Sequence, residues 1–479
     1  MSSRCNSVPS ATIGPILVLD EIADDEMHIS ALFIAPRTEK PPPVEAGGHP
    51  TQVAMLLACG DRALWRTQFR VPADRPSHYL WRGKRFDFAG GLAGDLRIAF
   101  VSCNGEETGD LDRTGPERNV MWARLVDQHQ HAPFGLLLHG GDQVYADETT
   151  KGHPLSEGWP DEIPSDPSDA ELEGLREHLR AAFFDRYAAV YSAPETAWLC
   201  ARVPSLMQWD DHDICDGWGS LARSRTRSPV GQVIFAVARE MALGFQHAAQ
   251  DGDLPVRFGD PKGRHLGWCV KAPGLRLVGP DLRSERTRRQ VMGAGGWSMM
   301  DGIGGFKGRT LLLSSVPLLG PRLSLLEDAM RLYPRMLRYE DDLRDQWQSR
   351  AHRTEWRRML SLLRNASAAH GGGITVLSGE IHLAARATMA LCGGRILHQL
   401  TASGISHRAP PRGWAWFLGL LSRLGDAPLL GHPIRMERLP GQRGLFAAER
   451  NFLIVSRCGD AWTAEWHLEA SGKTDPLAI

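Results

Sequence analysis

The stretch LLLHGGDQVYAD at 136–147 narrows the choice of fold more than any other part of the chain. A short, continuous apolar run stopped by a turn signal is the pattern of a strand buried on both faces. The Gly-Gly pair lets the backbone turn sharply. Asp142 then falls just past the carboxyl end of the strand, where open α/β sheets bind ligands. Leu96–Cys103 reads as another strand, and residues 117–129 between the two carry helical spacing, with Val120, Ala123, Leu125 and Val126 on one side. This is a β-α-β unit, which implies parallel strands and a right-handed crossover. Cys103-Asn104 and Asp142 are therefore expected side by side at one sheet edge.

The rest of the chain extends this pattern. Up to residue 94, short β-type runs alternate with turn clusters such as PRTEKPPPVEAGGHP, and their spacing predicts a small all-β sandwich domain ending in a glycine linker at 90–94. From residue 95 to 479 helical and strand patterns mix, giving a layered α/β domain. Helices are expected at 170–190 and 233–249, with a helical region from Ser324 to about Leu363. Strands are expected at 204–209, 275–278, 311–316, 374–377, 395–400, 452–457 and 462–468, and residues 408–443 read as a peripheral excursion around a short helix. A length of 479 residues agrees with two domains.

Composition excludes several classes. The formal net charge of −1 argues against nucleic acid or an anionic membrane as the main partner. No run approaches the roughly 18–20 apolar residues of a membrane span. Eight cysteines without a CxxC pair fit a reducing compartment with mostly free thiols. The N-terminus lacks a basic region followed by a long apolar core, so a cytoplasmic location is expected.

Four strand ends carry groups able to bind metal: Cys103; Asp142 with Tyr145; Asp210, Asp211 and His212; and Glu380 with His382. Hard oxygens suit Mg, Ca, Mn or Fe(III), while cysteine and histidine point to a transition metal on at least one side. A carboxylate can bridge two ions, and Asp142 fits that role. Two metals roughly 3.5–4 Å apart can clamp a phosphate and stabilise an in-line displacement by a bridging hydroxide. Crowded acids such as Asp210, Asp211 and Asp213 cost stability unless a cation offsets them.

These pieces resemble the alkaline phosphatase D (PhoD-like) metallophosphatases, within the calcineurin-like metallophosphoesterases. The matching motifs are SCNG at 102–105, HGGDQVYAD at 139–147, WDDHD at 209–213, LRSER at 282–286, DQW at 345–347, SGEIH at 378–382 and TASGIS at 401–406. The resemblance implies a four-layer α/β/β/α domain after a β-sandwich and a dinuclear metal-dependent hydrolase of phosphate mono- or diesters. It implies Fe(3+) with Ca(2+), and Mn(2+), Zn(2+) or Mg(2+) as replacements where calcium is scarce. By that resemblance Cys103 and Tyr145 ligate the more oxidised ion, Asp142 bridges, Asp211 with Asp210 binds the second ion, and Glu380 and His382 complete the shells. His212 and Arg283 are the catalytic candidates, and Asn104, Arg286 and His407 the substrate contacts. SGEIH departs from the family's SGDxH by one methylene at Glu380. That departure supports a rival expectation, a degenerate phosphatase fold that binds a phosphorylated ligand without turnover.

Overall fold

The computed structural model describes residues 12–321 and 345–479. The first strands are β1 (Ile13–Ala23), β2 (Glu26–Pro36), β3 (Val53–Cys59), β4 (Arg62–Pro72), β5 (Ser77–Trp81) and β6 (Lys84–Phe88). Next come β7 (Leu96–Val101), helix α1 (Val120–His131), β8 (Leu136–Gly140), α2 (Asp169–Ser192), α3 (Pro194–Cys200), β9 (Ser205–Gln208) and α4 (Pro229–His247). Strands β10 (Trp268–Ala272) and β11 (Leu275–Gly279), helix α5 (Ala294–Asp301) and β12 (Arg309–Leu313) follow. After residue 345 the elements are α6 (Arg353–His370), β13 (Ile374–Ser378), β14 (Ala384–Ala390), β15 (Ile396–Thr401), α7 (Arg412–Leu421), β16 (Asp426–Leu429), β17 (His432–Glu437), β18 (Asn451–Cys458) and β19 (Ala461–Leu468). The helical pattern expected from Ser324 falls outside the described residues up to 344; in the rest of that range the described helix is α6, which runs on to His370.

The strands form two large sheets. One has 11 strands, with β19-β18-β7-β8-β9-β1-β2-β4-β3 along its length; the other has nine, ordered β10-β11-β12-β13-β15-β14-β17-β16. Side-chain alternation explains how they stack. From β7, Ile98 and Phe100 face one core while Ala99 and Val101 face another; from β8, Leu136 and Leu138 part from Leu137 in the same way. The first set meets Leu275, Leu277, Leu311, Leu313, Leu377 and Leu400 of the second sheet, so an apolar layer lies between the sheets. The outer face of the 11-stranded sheet packs on α1–α4 through Met121, Leu125, Leu179, Phe183, Leu199 and Val237. Val278, Leu312 and Val376 of the other sheet pack on Trp297, Met300, Trp356 and Leu360 of α5 and α6. Local signals set the helix ends: Ser168 and Glu171 form a capping box on α2, and Ser228 caps α4 ahead of Pro229.

Two expectations change. The N-terminal strands do not stand apart as a separate sandwich. β1 pairs in parallel with β9 through Val18 and Ser205, so β1–β4 continue the 11-stranded sheet. Leu17 and Leu19 face the inter-sheet core while Ile16 and Val18 face the helices, and a strand buried on both faces cannot sit in an isolated small domain. Only β5 and β6, with two short strands, form a separate four-stranded sheet, whose Tyr79, Trp81, Phe86 and Phe88 pack on Phe33 and Phe69. Residues 408–443 are also more than an excursion: β17 pairs with β14 and carries β16 to the sheet edge.

Leu138 is fully buried between the sheets and Leu430 is 98% exposed. Leu138→Ala is expected to cost about 2–5 kcal/mol in equilibrium guanidinium unfolding, and Leu430→Ala less than about 0.5 kcal/mol.

Candidate metal centre

The carboxyl ends of β7, β8, β9, β12, β13 and β15 meet at one end of the sheet pair. Backbone bonds stitch the turns there: Cys103 N–H donates to Gly141 O, Asn104 N–H to Asp142 O, and Ile405 N–H to Ser102 O. Cys103, Asp142, Glu380 and His382 all take positive φ, between 53° and 65°. Such angles are uncommon away from glycine and cluster at functional sites. Gly141 has φ 111°, and a Cβ on it would lie 2.7 Å from the Asp210 Cβ. Only glycine lets the β8 turn approach the β9 turn this closely.

Asp142, Asp210 and Asp211 each offer an oxygen within 4.8 Å of the others. Among the described residues, Oδ1 of Asp142, Oδ2 of Asp210 and Oδ1 of Asp211 are buried without a hydrogen-bond donor, though Arg283 Nη2 stands 3.3 Å from Asp211 Oδ1. Their second oxygens are engaged: Oδ1 of Asp210 accepts from Arg283 and from Ser315 Oγ (2.7 Å), and Oδ2 of Asp211 accepts from Gly217 N–H (2.9 Å). Burial, then the Asp210 charge, hold the Asp142 carboxyl well above the usual carboxylate range. Burial pushes Asp210 up to about 6 against the pull of Arg283. An orphaned buried acceptor costs about 1–3 kcal/mol, more when charged. Three acids with oxygens within 4.8 Å of one another, each with a buried oxygen lacking a donor among the described residues, fit a cation. Asp213 plays another part, accepting from the backbone N–H of Asp210 and Val144 and from Gln246, which fixes the turn.

The expected ligands on the other side lie close by. Cys103 Sγ donates to Asp142 Oδ2 (3.3 Å) and contacts Ser403 Oγ (3.0 Å); burial, then the Asp142 charge, raise its thiol pKa. The Tyr145 hydroxyl is 3.1 Å from His382 Nε2, and its ring stacks on His212 at 4.3 Å. Burial and then the Cys103 neighbour raise the phenol pKa. The His382 ring lies 3.4 Å from that of His407, whose Nε2 meets Glu107 at 3.2 Å. Glu380 receives Gln346 Nε2 on both oxygens (2.8 and 2.7 Å). His212 Nδ1 is 3.0 Å from Asp147 Oδ2. Burial lowers the His212 pKa, but Asp147 and Asp211 outweigh it and hold the ring well above its ordinary value.

The catalytic candidate Arg283 and two expected substrate contacts, Arg286 and Asn104, are committed elsewhere. Arg283 is fully buried and gives its donors to Asp210, the Trp218 carbonyl and both oxygens of Asp345. It braces the carboxylates and has no donor left for a phosphate. Arg286 donates to the Asp345 carbonyl and lines a different groove. Asn104 Oδ1 accepts from Trp122 Nε1 and Ser406 Oγ, and its amide donates to Gln143 O. Residues given no role from sequence also enter: Glu107, Asp147, Asp216, Asp345, Gln346 and Ser403. Asp147, Asp345-Gln346 and Ser403 sit inside motifs quoted above, so their signal was present; Glu107 lies four residues past Cys103 in a loop with no periodicity to mark it.

These groups line a cavity of about 480 Å³. Glu107, Asp142, Asp211, Asp216, Asp345 and Glu380 supply six carboxylates to it, beside His212 and His382. Among the described residues no lysine or arginine lines it. Its other wall is apolar: Leu319, Trp414, Leu418, Met436 and Phe446.

Residues 101–336 match the family model described as PhoD related phosphatase. Over that stretch the chain is similar to the PhoD related phosphatases. The solved structure of PhoD superposes over 97% of this chain and 88% of its own length, with a TM-score of 0.58 and 11% sequence identity, which shows a shared fold. A relative from Saccharomyces cerevisiae (strain ATCC 204508 / S288c), the uncharacterized protein YGR266W, is 27% identical over 383 residues, 66% of this chain. The chain spans about half (53%) of that relative's length. Among the described residues no helix is long and apolar enough to cross a membrane.

The buried Cys103 thiol, with its raised pKa, is expected to resist iodoacetamide at pH 8 while the exposed Cys392 and Cys458 react. Peptide mass spectrometry of the folded and unfolded chain checks this.

Proposed function

We propose that this chain is a cation-dependent phosphoester hydrolase acting at the acidic cavity. The observation that carries the reading is the mismatch between the cavity's charge and a phosphate. Six carboxylates would repel a phosphate ester, yet three of the buried acid oxygens have no donor. Cations held by Asp142, Asp210 and Asp211 remove both conflicts at once. Asp142 would be the residue to hold cations on both sides, since its Oδ1 lacks a donor among the described residues while Oδ2 faces Cys103. Cys103 and Tyr145 bias one position toward iron, with His382 and Glu380 beside them. The oxygen-rich side suits Ca(2+), Mn(2+) or Mg(2+). Bound cations would supply the Lewis acidity that spreads the developing negative charge.

The chain's own residues do the rest. Asp147 holds His212 through Nδ1, which leaves Nε2 to donate a proton to the leaving oxygen. Glu107 orients His407 and lies 4.0 Å from His212 Nε2. Trp414 and Leu418 give the cavity an apolar wall, which favours esters whose alcohol is apolar, as mono- or diesters. The substrate is a small phosphoester. A chain that binds phosphate tightly with several metals yet turns nothing over would instead be the degenerate form.

Asp142→Asn is expected to lower hydrolysis of aryl phosphates by at least about a hundredfold and to reduce the bound metal measured by mass spectrometry. Unchanged activity, or a metal-free active protein, would overturn the assignment.

The raised carboxyl groups also give a signed pH dependence. In chelator the folded state holds a proton on Asp210 that the unfolded chain has released, so its contribution to stability falls as pH rises from about 4 through about 6, and the raised Asp142 carboxyl acts in the same direction. Cations reverse this by replacing those protons. EDTA is therefore expected to lower the thermal midpoint more at pH 8 than at pH 6, as read by differential scanning fluorimetry.

A further inference from the structure

We propose that a second site on this chain binds an oligophosphate, in the arginine-lined groove formed by residues 218–235 and 284–290. The groove has a volume of about 1000 Å³ and holds five arginines, at 223, 227, 286, 288 and 289. Arg223, Arg227 and Arg289 are exposed and form no ion pair among the described residues. Glu285 is the one acid among the described residues lining it, and its carboxylate accepts from Gly296 N–H.

Arg286 distinguishes this groove from an ordinary basic surface. It is 7% exposed, its Nε lies 3.0 Å from Asp345 Oδ1, and its Nη1 has no acceptor. A buried guanidinium with an idle donor is costly unless an anion completes it. The backbone is shaped to seat it: Gly219 has φ 107°, and a Cβ there would fall 2.4 Å from the Arg286 Cδ. Trp218 and Phe235, stacked at 5.3 Å, form a rigid wall beside it. Guanidinium forks match phosphate oxygens in paired hydrogen bonds, and several forks along one groove suit a chain of phosphates better than a single one. The chain's net charge is only −1, so this positive density is local. The groove joins the acidic cavity through Asp345, which touches both Arg286 and Arg283.

The test is isothermal titration with tripolyphosphate, on the full chain as purified and again in EDTA, at about 0.1 M salt. Saturable binding is expected in both, since the groove needs no cation, and orthophosphate is expected to bind at least about tenfold more weakly. The triple variant Arg223→Ala, Arg227→Ala, Arg289→Ala is expected to lose at least about tenfold in affinity with an unchanged thermal midpoint. On the unmutated chain, tripolyphosphate is expected to protect these three arginines from phenylglyoxal, read by peptide mass spectrometry. Equal affinity of the triple variant, absence of binding in EDTA, absence of protection, or equal binding of orthophosphate would each overturn the proposal. Loss of binding only in EDTA would place the anion at the cavity cations, so the outcome separates this site from the hydrolase reading.

Discussion

The structure depends on three carboxylates that cannot share a dry place unaided. Oxygens of Asp142, Asp210 and Asp211 come within 4.8 Å of each other below the surface. At an effective dielectric of about 20, one pair of full charges at that distance repels by roughly 3 kcal/mol. Arg283 answers part of this, bonding Asp210 and lying 3.3 Å from Asp211, but Asp345 takes its other donors. Raised carboxyl pKa values in Asp142 and Asp210 are the same conflict expressed as held protons. Whatever binds in the cavity has to resolve it, and a cation is the simplest group that does.

Bringing those acids together requires the backbone to leave its strands abruptly. β7, β8 and β13 end in residues with positive φ, at Cys103, Asp142, Glu380 and His382. For a residue with a Cβ, that conformation costs on the order of 1–2 kcal/mol. Neighbouring bonds hold it in place: Cys103 N–H is taken by Gly141 O, and His382 N–H by Ser403 Oγ. The two large sheets supply the stiffness, because their shared apolar layer fixes the strand ends from which these turns depart. Four of the nine non-glycine residues with positive φ among the described residues cluster where the chemistry is proposed, and the others include turns at Asp24-Asp25 and Arg82.

The β-α-β unit and its neighbours were legible because buried strands read as unbroken apolar runs and their ends carry the polar residues. Asp142, Asp211 and Cys103 were found that way. The sheet that β1 joins was not legible. Its parallel pairing with β9 spans nearly two hundred residues of sequence, and its double burial looks the same as that of any apolar strand. The direction of the Arg283 and Arg286 side chains is not legible for a related reason. A motif places an arginine near a site but not which way its fork turns, and Asp345, about sixty residues downstream, decides that. Glu107 and the apolar wall from α7 depend on loops and edge elements whose approach to the cavity leaves no periodic trace.

The turn of those two arginines changes how the cavity must work. A phosphate site usually carries its own guanidinium or ammonium groups. Here Arg283 is sealed under the carboxylates, and the described lining is acidic, histidine-bearing or apolar. Under the proposed function, cations held by the acids would bring positive charge to this described lining. Arg283 helps by preserving the geometry of Asp210 and Asp211 whether or not a cation is bound, since its bonds to Asp210 and Asp345 need no ligand. A site held in this way would lose little entropy on binding a cation.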